Sequence, residues 1–289
     1  MTNKDLTIII TTFHSERRIE NCLNSISHDY RVIIIENSRN IDFKNNIEKK
    51  FPNVECFIPL TNLGYSQGNN LGLEKVKTKY SLILNPDTKL EKNALENFFE
   101  RIKKIKDFAI LAPRYGQSYD DVASTDVSQL TEKIKKKELV EFNKVKGFAM
   151  FLNMKKFSRI GFFDHKFFMF FEEIDLCRRV KNHNEKIFLD PTIEIEHVGG
   201  ESVDEDLVKS LEFTRNWHWM WSTFYYHKKY DGFLIAFIKV SPKFFSAFFK
   251  KLFYQLVRNS VKKNFYANRL SGLKSSILGE PSWHRPTLD

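Results

Sequence analysis

The chain has 289 residues, of which 42% are hydrophobic and 28% charged, and this balance predicts a folded body rather than a disordered one. Its length fits one large domain or two fused modules. Cys22, Cys56 and Cys177 lack the spacing of a disulfide framework or a zinc site, which indicates reduced thiols in a cytosolic protein. We expect no signal peptide and no membrane span, because the longest apolar run, residues 232–238, is far below the ~20 residues that a bilayer requires.

The net charge of +10 comes from one segment. Residues 228–274 contain eleven lysines and arginines and a single acid, Asp231, so the remainder of the chain is neutral. A local excess of this size predicts a basic surface that faces an anionic partner.

The first 115 residues alternate between apolar strands and helical segments. Continuously apolar strands separated by helices predict a mostly parallel sheet with helices on both faces, and hence an α/β fold. The predicted strands cover residues 6–12, 31–37, 55–60, 80–84 and 108–113, and the predicted helices cover residues 16–27, 66–76 and 91–105.

The second half is less regular. Residues 116–137 predict a polar loop or weak helix, and residues from about 207 onward predict helix. Between them lie a predicted strand at 145–153, an aromatic run at 162–171, a helix at 172–181 and strands at 186–189 and 192–196. We therefore predict one Rossmann-like domain over residues 1–215, with halves at 1–115 and 141–215, followed by a helical module over residues 216–289.

Small polar or acidic residues stand at the ends of four consecutive predicted strands. Ligands of such sheets bind beyond the carboxyl ends of the strands, so these side chains are expected to share one rim. The same residue types are also common in ordinary turns. The residues at the strand ends are Thr11, Thr12, Glu36, Asn37, Asn62, Asn85 and Asp87.

The Asn85-Pro86-Asp87 sequence follows the fourth predicted strand. A carboxylate there suits a hard divalent cation that is bound mainly by oxygen and by the phosphates of a substrate. The alternative is a structural turn. His197 precedes two glycines and is either a loop residue or a group that reaches the metal or a phosphate.

Glu172, Glu173 and Asp175 form an acidic cluster directly after the aromatic run at 162–171. Acids favour the first turn of a helix, and Asp175 has a pairing partner at i+4 in Arg179. An apolar wall would also raise the pKa of a carboxyl group and make it a better general base. Both interpretations stay open from the residues alone.

Gly64, Gly68 and Gly72 are spaced four residues apart. The spacing matches neither the dinucleotide fingerprint nor a P-loop. It predicts a helix that approaches the sheet closely, with Asn62 and Asn70 facing the rim.

Together these features resemble glycosyltransferase family 2, inverting enzymes with the A-type nucleotide-sugar fold. They are most similar to rhamnosyltransferase-like bacterial members that build O-antigen, capsule or other surface polysaccharide. The matching segments are residues 7–14, 33–38, 62–72, 84–88, 146–152, 161–179 and 197–202.

The resemblance implies a role for each matching position. Asn85 and Asp87 stand at the Asp-x-Asp-type metal and phosphate motif, with Asp87 as the metal carboxylate and His197 near the metal or pyrophosphate. Glu173 occupies the position of the catalytic base. The residues that would line the nucleoside pocket are Thr12, Glu36, Asn62 and Asn70.

Three positions depart from the family pattern. Glu36 and Glu173 each replace an Asp, and Asn85 replaces the first Asp of the metal motif. Because the base is one methylene longer than usual, Glu172, Glu173 and Asp175 all remain candidates for it.

Apolar residues recur with helical spacing between positions 243 and 266, interleaved with lysine and arginine. This pattern predicts one basic, Phe-rich amphipathic helix, which suits the surface of an anionic membrane. Trp217, Trp219 and Trp221 would add interfacial anchors. The alternative is that the apolar stripe packs on the enzyme body and only the bases face solvent.

The sequence thus predicts an inverting glycosyltransferase that uses Mg²⁺ or Mn²⁺ at the cytoplasmic face of the cell membrane. It would move a sugar from a nucleotide sugar, such as dTDP-rhamnose or a UDP-sugar, to a lipid-linked saccharide, with a homo-oligomer as an open option. The alternative is a catalytically inactive, membrane-peripheral protein that binds nucleotide sugars. Binding to nucleic acid is not expected, because no readable motif accompanies the basic charge.

Overall fold

The computed structural model describes residues 3–105, 107–114, 132, 136–197 and 208–286. Most of the polar segment predicted at 116–137, and the residues of the 197–202 motif beyond His197, lie outside the described residues. The chain forms two compact units. We call residues 1–63, 67–163 and 173–204 the sheet unit, and residues 64–66, 164–172 and 205–289 the helical unit.

Four parallel strands build the first half of the sheet, in the order β3-β2-β1-β4. They are β1 (Leu6–Thr12), β2 (Arg31–Glu36), β3 (Val54–Phe57) and β4 (Tyr80–Leu84). β1 and β2 each contain three consecutive isoleucines that are buried on both faces, as expected for parallel strands covered by helices. This part of the sheet confirms the predicted parallel α/β core.

Three helices connect these strands: α1 (Glu16–Asn24), α2 (Ile41–Lys50) and α3 (Gly64–Leu73). Of these helices, α2 was not predicted from the sequence. It supplies the crossover that two adjacent parallel strands require, and the side chain of Asn40 caps it by accepting a hydrogen bond from the N–H of Phe43 at 2.9 Å.

The second half of the sheet is mixed. Its elements are β5 (Thr88–Leu90), α4 (Ala94–Lys104), β6 (Ile110–Arg114), β7 (Val140–Phe142), β8 (Ala149–Asn153), α5 (Met154–Ile160), α6 (Glu172–Asn182) and β9 (Ile187–His197). β8 lies antiparallel between β4 and β6, while β6 and β9 are parallel. β5 and β7 both pair with β9, which completes a nine-stranded sheet.

β9 replaces the two separate strands predicted at 186–189 and 192–196. It continues through Pro191 because the register against β6 shifts at that point, between Pro113 and Arg114. This irregularity accommodates a residue that cannot donate a ladder hydrogen bond. The continuation lets the end of β9 reach β5.

The helical unit contains three long helices: α7 (Val208–Asp231), α8 (Phe233–Leu256) and α9 (Ser260–Leu278). α7 and α9 pack so closely at Gly272 that a Cβ atom there would lie 2.1 Å from the carbonyl oxygen of Trp217. The described part of the chain includes no helix long and apolar enough to cross a membrane.

The prediction of one helix over residues 243–266 is wrong. Arg258 adopts a left-handed backbone conformation with φ 55°, which ends α8. Asn259 then caps α9 by accepting a hydrogen bond from the N–H of Lys262 at 3.0 Å. Helical periodicity continues through this break, so the apolar pattern alone did not reveal it.

Candidate active site

The carboxylate of Asp87 and the imidazole of His197 lie side by side in the sheet unit. The register of β5 on β9 pairs Thr88 with His197. As a result His197 Nε2 lies 3.3 Å from Asp87 Oδ1, and both side chains are largely buried. The ring of Phe148 stacks on the imidazole with 4.7 Å between centroids and 9° between planes, which fixes the orientation of the imidazole.

Asn85-Pro86-Asp87 forms a closed turn. The carbonyl of Asn85 accepts hydrogen bonds from the N–H and the hydroxyl of Thr88, at 3.2 and 2.7 Å. The N–H of Asn85 donates to the carbonyl of Phe148 at 2.8 Å. The two interpretations of this sequence, a structural turn and a metal-binding carboxylate, are therefore compatible, because the turn places the Asp87 carboxylate next to His197.

Asp87 and His197 fit a divalent cation. Two adjacent ligands of an octahedral ion, each at about 2.1 Å, are about 3.0 Å apart, close to the separation observed here. Within the described residues no group of three potential ligands converges. The remaining positions would then fall to phosphates and water, as is usual for Mg²⁺ at nucleotide sites.

A cleft of about 430 Å³ opens beside Asp87. Its polar lining is Arg18, Asn21, Asn24, Ser25, Thr88, Lys89 and Glu196. None of these residues was among the predicted site residues, because residues 16–27 were predicted only as a helix. The polar side chains of Arg18, Asn21 and Asn24, spaced three residues apart on α1, are the signal that could have identified them.

Two of the predicted nucleoside residues, Thr12 and Glu36, lie next to each other. They are register partners at the ends of β1 and β2, and both are buried. Glu36 accepts hydrogen bonds from the N–H groups of Ser38 and Asn40 at 2.9 and 2.8 Å, so its carboxylate organises the turn after β2. It also accepts from the hydroxyl of Ser38.

Asn37 lies within the same rim and bridges two of its strand ends. Its N–H donates to the carbonyl of Thr12 at 2.9 Å, and its side-chain oxygen accepts from the N–H of Leu63 at 3.1 Å. Leu63 is the neighbour of the predicted residue Asn62, which is partly buried. Asn37 is therefore a functional candidate that the predicted nucleoside set omitted.

Asn70 makes a two-point contact with the backbone of Phe163. Its side chain donates to the carbonyl at 2.8 Å and accepts from the N–H at 3.0 Å. These bonds fix the backbone of Phe163, so the observed role of Asn70 is to position that residue.

Glu173 stands in the first turn of α6. Burial raises the pKa of Glu173 above its ordinary value. The N–H groups of Glu173 and Ile174, and more weakly the charges of Lys146 and Lys144, act in the opposite direction but do not cancel the effect of burial. Because the effect of burial is the larger one, the Glu173 carboxyl group binds a proton more tightly than the carboxyl group of an exposed glutamate.

Asp175 is fully buried and forms the ion pair predicted with Arg179, at 2.9 Å. The same guanidinium donates to the carbonyls of Ile160 and Gly161 at 2.9 and 3.2 Å, and also to that of Phe162. Asp175 therefore orients an arginine that ties α6 to the end of α5. Glu172 is buried and belongs to the helical unit.

Comparison with known proteins agrees with this fold. Residues 7–177 match the model of Glycosyl transferase family 2. The low-salt glycan biosynthesis hexosyltransferase Agl10 of Haloferax volcanii is 26% identical over 196 residues, which cover 62% of this chain and 62% of the relative. The match thus spans less than two thirds of that relative's length.

Two solved glycosyltransferase structures share the fold at low sequence identity. The mannosyltransferase PcManGT of Pyrobaculum calidifontis, in complex with GDP-Man and Mn²⁺, has a TM-score of 0.58 and 10% identity, over 95% of this chain and 87% of that one. GalNAc-T7 with UDP, GalNAc and Mn²⁺ has a TM-score of 0.55 and 13% identity, over 66% and 43% of the two chains. The fold and the family match agree, and this chain belongs to glycosyl transferase family 2.

Proposed function

We propose that this enzyme is an inverting, divalent-metal-dependent transferase that moves a sugar from a nucleoside-diphosphate sugar to a saccharide hydroxyl. The observation that carries the proposal is the pairing of Asp87 with His197 at 3.3 Å at the end of the sheet. Two buried potential ligands that are fixed by a closed turn and a stacked ring form a preorganised site for a cation and a diphosphate.

Asp87 and His197 are the residues that would hold Mn²⁺ or Mg²⁺. Such an ion, when bound, offsets the negative charge that develops on the departing nucleoside diphosphate. The contribution of the chain is orientation: the Asn85–Thr88 turn fixes the carboxylate, and the Phe148 ring fixes the imidazole. Asn85 lies beside this pair and would contact the phosphates.

Glu173 is the proposed catalytic base. Its raised pKa suits it to take the proton from the acceptor hydroxyl as that oxygen attacks the anomeric carbon. The new bond joins the acceptor oxygen to the anomeric carbon while the bond to the diphosphate oxygen breaks on the opposite face, which inverts the configuration once. Asp175 is a weaker candidate because its carboxylate is committed to Arg179, and Glu172 remains the second choice.

Thr12, Glu36 and Asn62 are the proposed lining of the nucleoside pocket, with Asn37 added from the structure. Glu36 would act largely through the turn that it organises, since two backbone N–H groups already bind its carboxylate. Asn70 would act by holding Phe163.

The acceptor is proposed to be a lipid-linked saccharide in bacterial surface polysaccharide synthesis, such as O-antigen or capsule, at the cytoplasmic face of the membrane. The donor is proposed to be dTDP-rhamnose or a UDP-sugar. The Haloferax volcanii relative is a glycan biosynthesis hexosyltransferase, which supports this general assignment.

A panel of nucleotide sugars with Mn²⁺ tests the proposal. We expect one nucleoside diphosphate to raise the melting temperature in the presence of the metal, and its sugar ester to be hydrolysed slowly without acceptor. Asp87→Asn should strongly reduce turnover and Glu173→Gln should abolish it, whereas Asp42→Asn on the exposed side of α2 should leave it unchanged. Failure of every nucleotide to stabilise the wild-type protein would contradict the proposal, and binding without turnover would favour the inactive alternative.

A further inference from the structure

An apolar face of α8 is exposed along its whole length. Fourteen of the nineteen exposed large apolar residues of the described chain lie between positions 233 and 261. Ile238, Phe249 and Leu256 are 61%, 63% and 82% exposed. The outer stripe of α8 lies on one helical face and consists of Ile238, Phe245, Phe249, Leu252, Phe253 and Leu256.

This stripe is not the face that holds α8 in the fold. The helix buries Ala236, Val240 and Ala247, each at most 1% exposed. Ala236 and Val240 belong to a cluster with Met220, Phe224 and Leu273 of α7 and α9. The small inner residues let α8 pack on its neighbours, so the bulky residues on the far side contribute little to the helical unit itself.

The segment that carries the stripe is strongly basic. Residues 228–274 contain eleven bases, and their single acid, Asp231, already accepts hydrogen bonds from Lys239 at 2.7 Å and pairs with His227 at 2.9 Å. Lys250 and Lys262 stay at the surface, where each covers a tyrosine ring. A broad apolar face on a segment of net positive charge complements a partner that is apolar inside and anionic at its surface.

We propose that α8 lies in the plane of an anionic lipid bilayer, with its Phe-rich stripe inserted among the acyl chains and its lysines at the headgroup phosphates. The helix has 24 residues, so at 1.5 Å per residue it would cover about 36 Å of membrane surface. A second copy of the chain suits this face less well, because two such faces would bring like charges together.

The inference rests on the proposed function only for its purpose, which is to bring the enzyme to a lipid-linked acceptor. Binding is measured with neither donor nor acceptor, by sedimentation with vesicles of phosphatidylcholine alone or of phosphatidylcholine with phosphatidylglycerol. We expect at least ~10-fold tighter binding to the anionic vesicles, and weaker binding at high salt. Activity on soluble donor is measured separately, so each proposal fails on its own readout.

Two double variants separate the contribution of the apolar stripe to membrane binding from that of the lysines. Phe249→Ser with Phe253→Ser should reduce vesicle binding by more than ~10-fold at an unchanged melting temperature, because both side chains are exposed. Lys250→Gln with Lys262→Gln should reduce it by about 30-fold, and only on anionic vesicles. Leu60→Ser, an exposed apolar position of the sheet unit, is the matched control and should change nothing.

Equal binding to neutral and anionic vesicles, or no binding to either, overturns the proposal. So does a stable dimer in light scattering that the Phe variants dissociate, since that result assigns the stripe to a second copy.

Discussion

His197 Nε2 lies 3.3 Å from Asp87 Oδ1, although the two residues are more than a hundred positions apart in the chain. A three-residue strand, β5, brings them together by pairing with the last residues of β9. The candidate metal site therefore depends on a short tertiary pairing rather than on a continuous motif.

Replacing either residue should impair metal-dependent donor binding. Asp87→Asn keeps the shape of the side chain but removes its charge, and should lower kcat/KM by about 10²–10³-fold. His197→Gln should cost about 10–100-fold and raise the Mn²⁺ concentration that half-saturates activity. Titrating Mn²⁺ against nucleotide-induced thermal stabilisation measures both effects independently of turnover.

Asp42→Asn serves as the control for these variants, because it removes a carboxylate from the exposed side of α2. If Asp87→Asn retained the metal-dependent thermal shift of the wild type, Asp87 would not be a metal ligand.

Glu173→Gln should inactivate the enzyme and also stabilise it at neutral pH. Because burial raises the pKa of Glu173 in the folded state, the unfolded chain loses this proton more readily as the pH rises above about 4.3. Ionisation therefore destabilises the fold at neutral pH, and a neutral amide removes that cost. Urea unfolding between pH 4 and pH 8 measures the difference.

The stability gained by Glu173→Gln should disappear below about pH 4, where both states of the wild type are protonated. The acid limb of the pH–rate profile should correspondingly lie above the ordinary glutamate pKa. A variant that is less stable than the wild type at pH 8 would show that Glu173 is held as a structural anion instead.

Asp175→Asn should act on stability more than on chemistry. Its carboxylate is buried against Arg179, and removing the charge leaves a guanidinium that is only 18% exposed without its counter-charge. The expected loss is about 3 kcal/mol in the free energy of unfolding. Activity of the folded fraction should persist, and complete inactivation of a fully folded Asp175→Asn protein would move the role of base from Glu173 to Asp175.

The sequence predicted well those elements whose pattern is local. β1, β2 and β4 are apolar runs buried on both faces, and α6 begins at the acidic residues that favour a helix start. β5 was too short to show a period, and β9 was divided because Pro191 normally ends a strand.

In the candidate site, too, only contacts between residues close in sequence could be predicted. Local spacing predicted the Asp175–Arg179 pair, because i and i+4 face each other on a helix. The stacking of Phe148 on His197 and the bonds between Asn70 and Phe163 join residues 49 and 93 positions apart. Contacts between residues so far apart produce no periodic pattern in the sequence, so only the folded structure could reveal them.

Asp164 should make the helical unit sensitive to acid. Burial alone would raise the pKa of this carboxyl, but hydrogen bonds from Lys229, the N–H of Lys166 and Tyr225 outweigh it and hold the pKa below its ordinary value. A lowered pKa adds stability above the unfolded value of about 3.9, and that stability is lost as the pH falls through the folded value.

Asp164→Asn should therefore cost about 2 kcal/mol at pH 7 and progressively less below pH 4. Circular dichroism melts at several pH values measure this trend, with Tyr225→Phe as a milder variant that removes one bond to the carboxylate. A destabilisation that stayed constant from pH 7 to pH 3 would show that packing, rather than ionisation, accounts for it.

Gly72→Ala should test the close contact of α3 with the sheet. A Cβ atom at Gly72 would lie 2.6 Å from Cγ2 of Ile9, and one at Gly68 would lie 2.7 Å from Cγ2 of Thr11. Either methyl group would push α3 away from β1, at a cost of about 1–3 kcal/mol. Because α3 carries Asn70, which holds Phe163, Gly72→Ala should also raise KM for the donor or acceptor.

Gly279→Ala is the control that separates backbone strain from overpacking, because φ is positive at Gly279 and no atom lies within 4 Å of the added Cβ. That control should cost about 1 kcal/mol without changing KM, and an equal change in KM for both variants would argue against the coupling through Asn70.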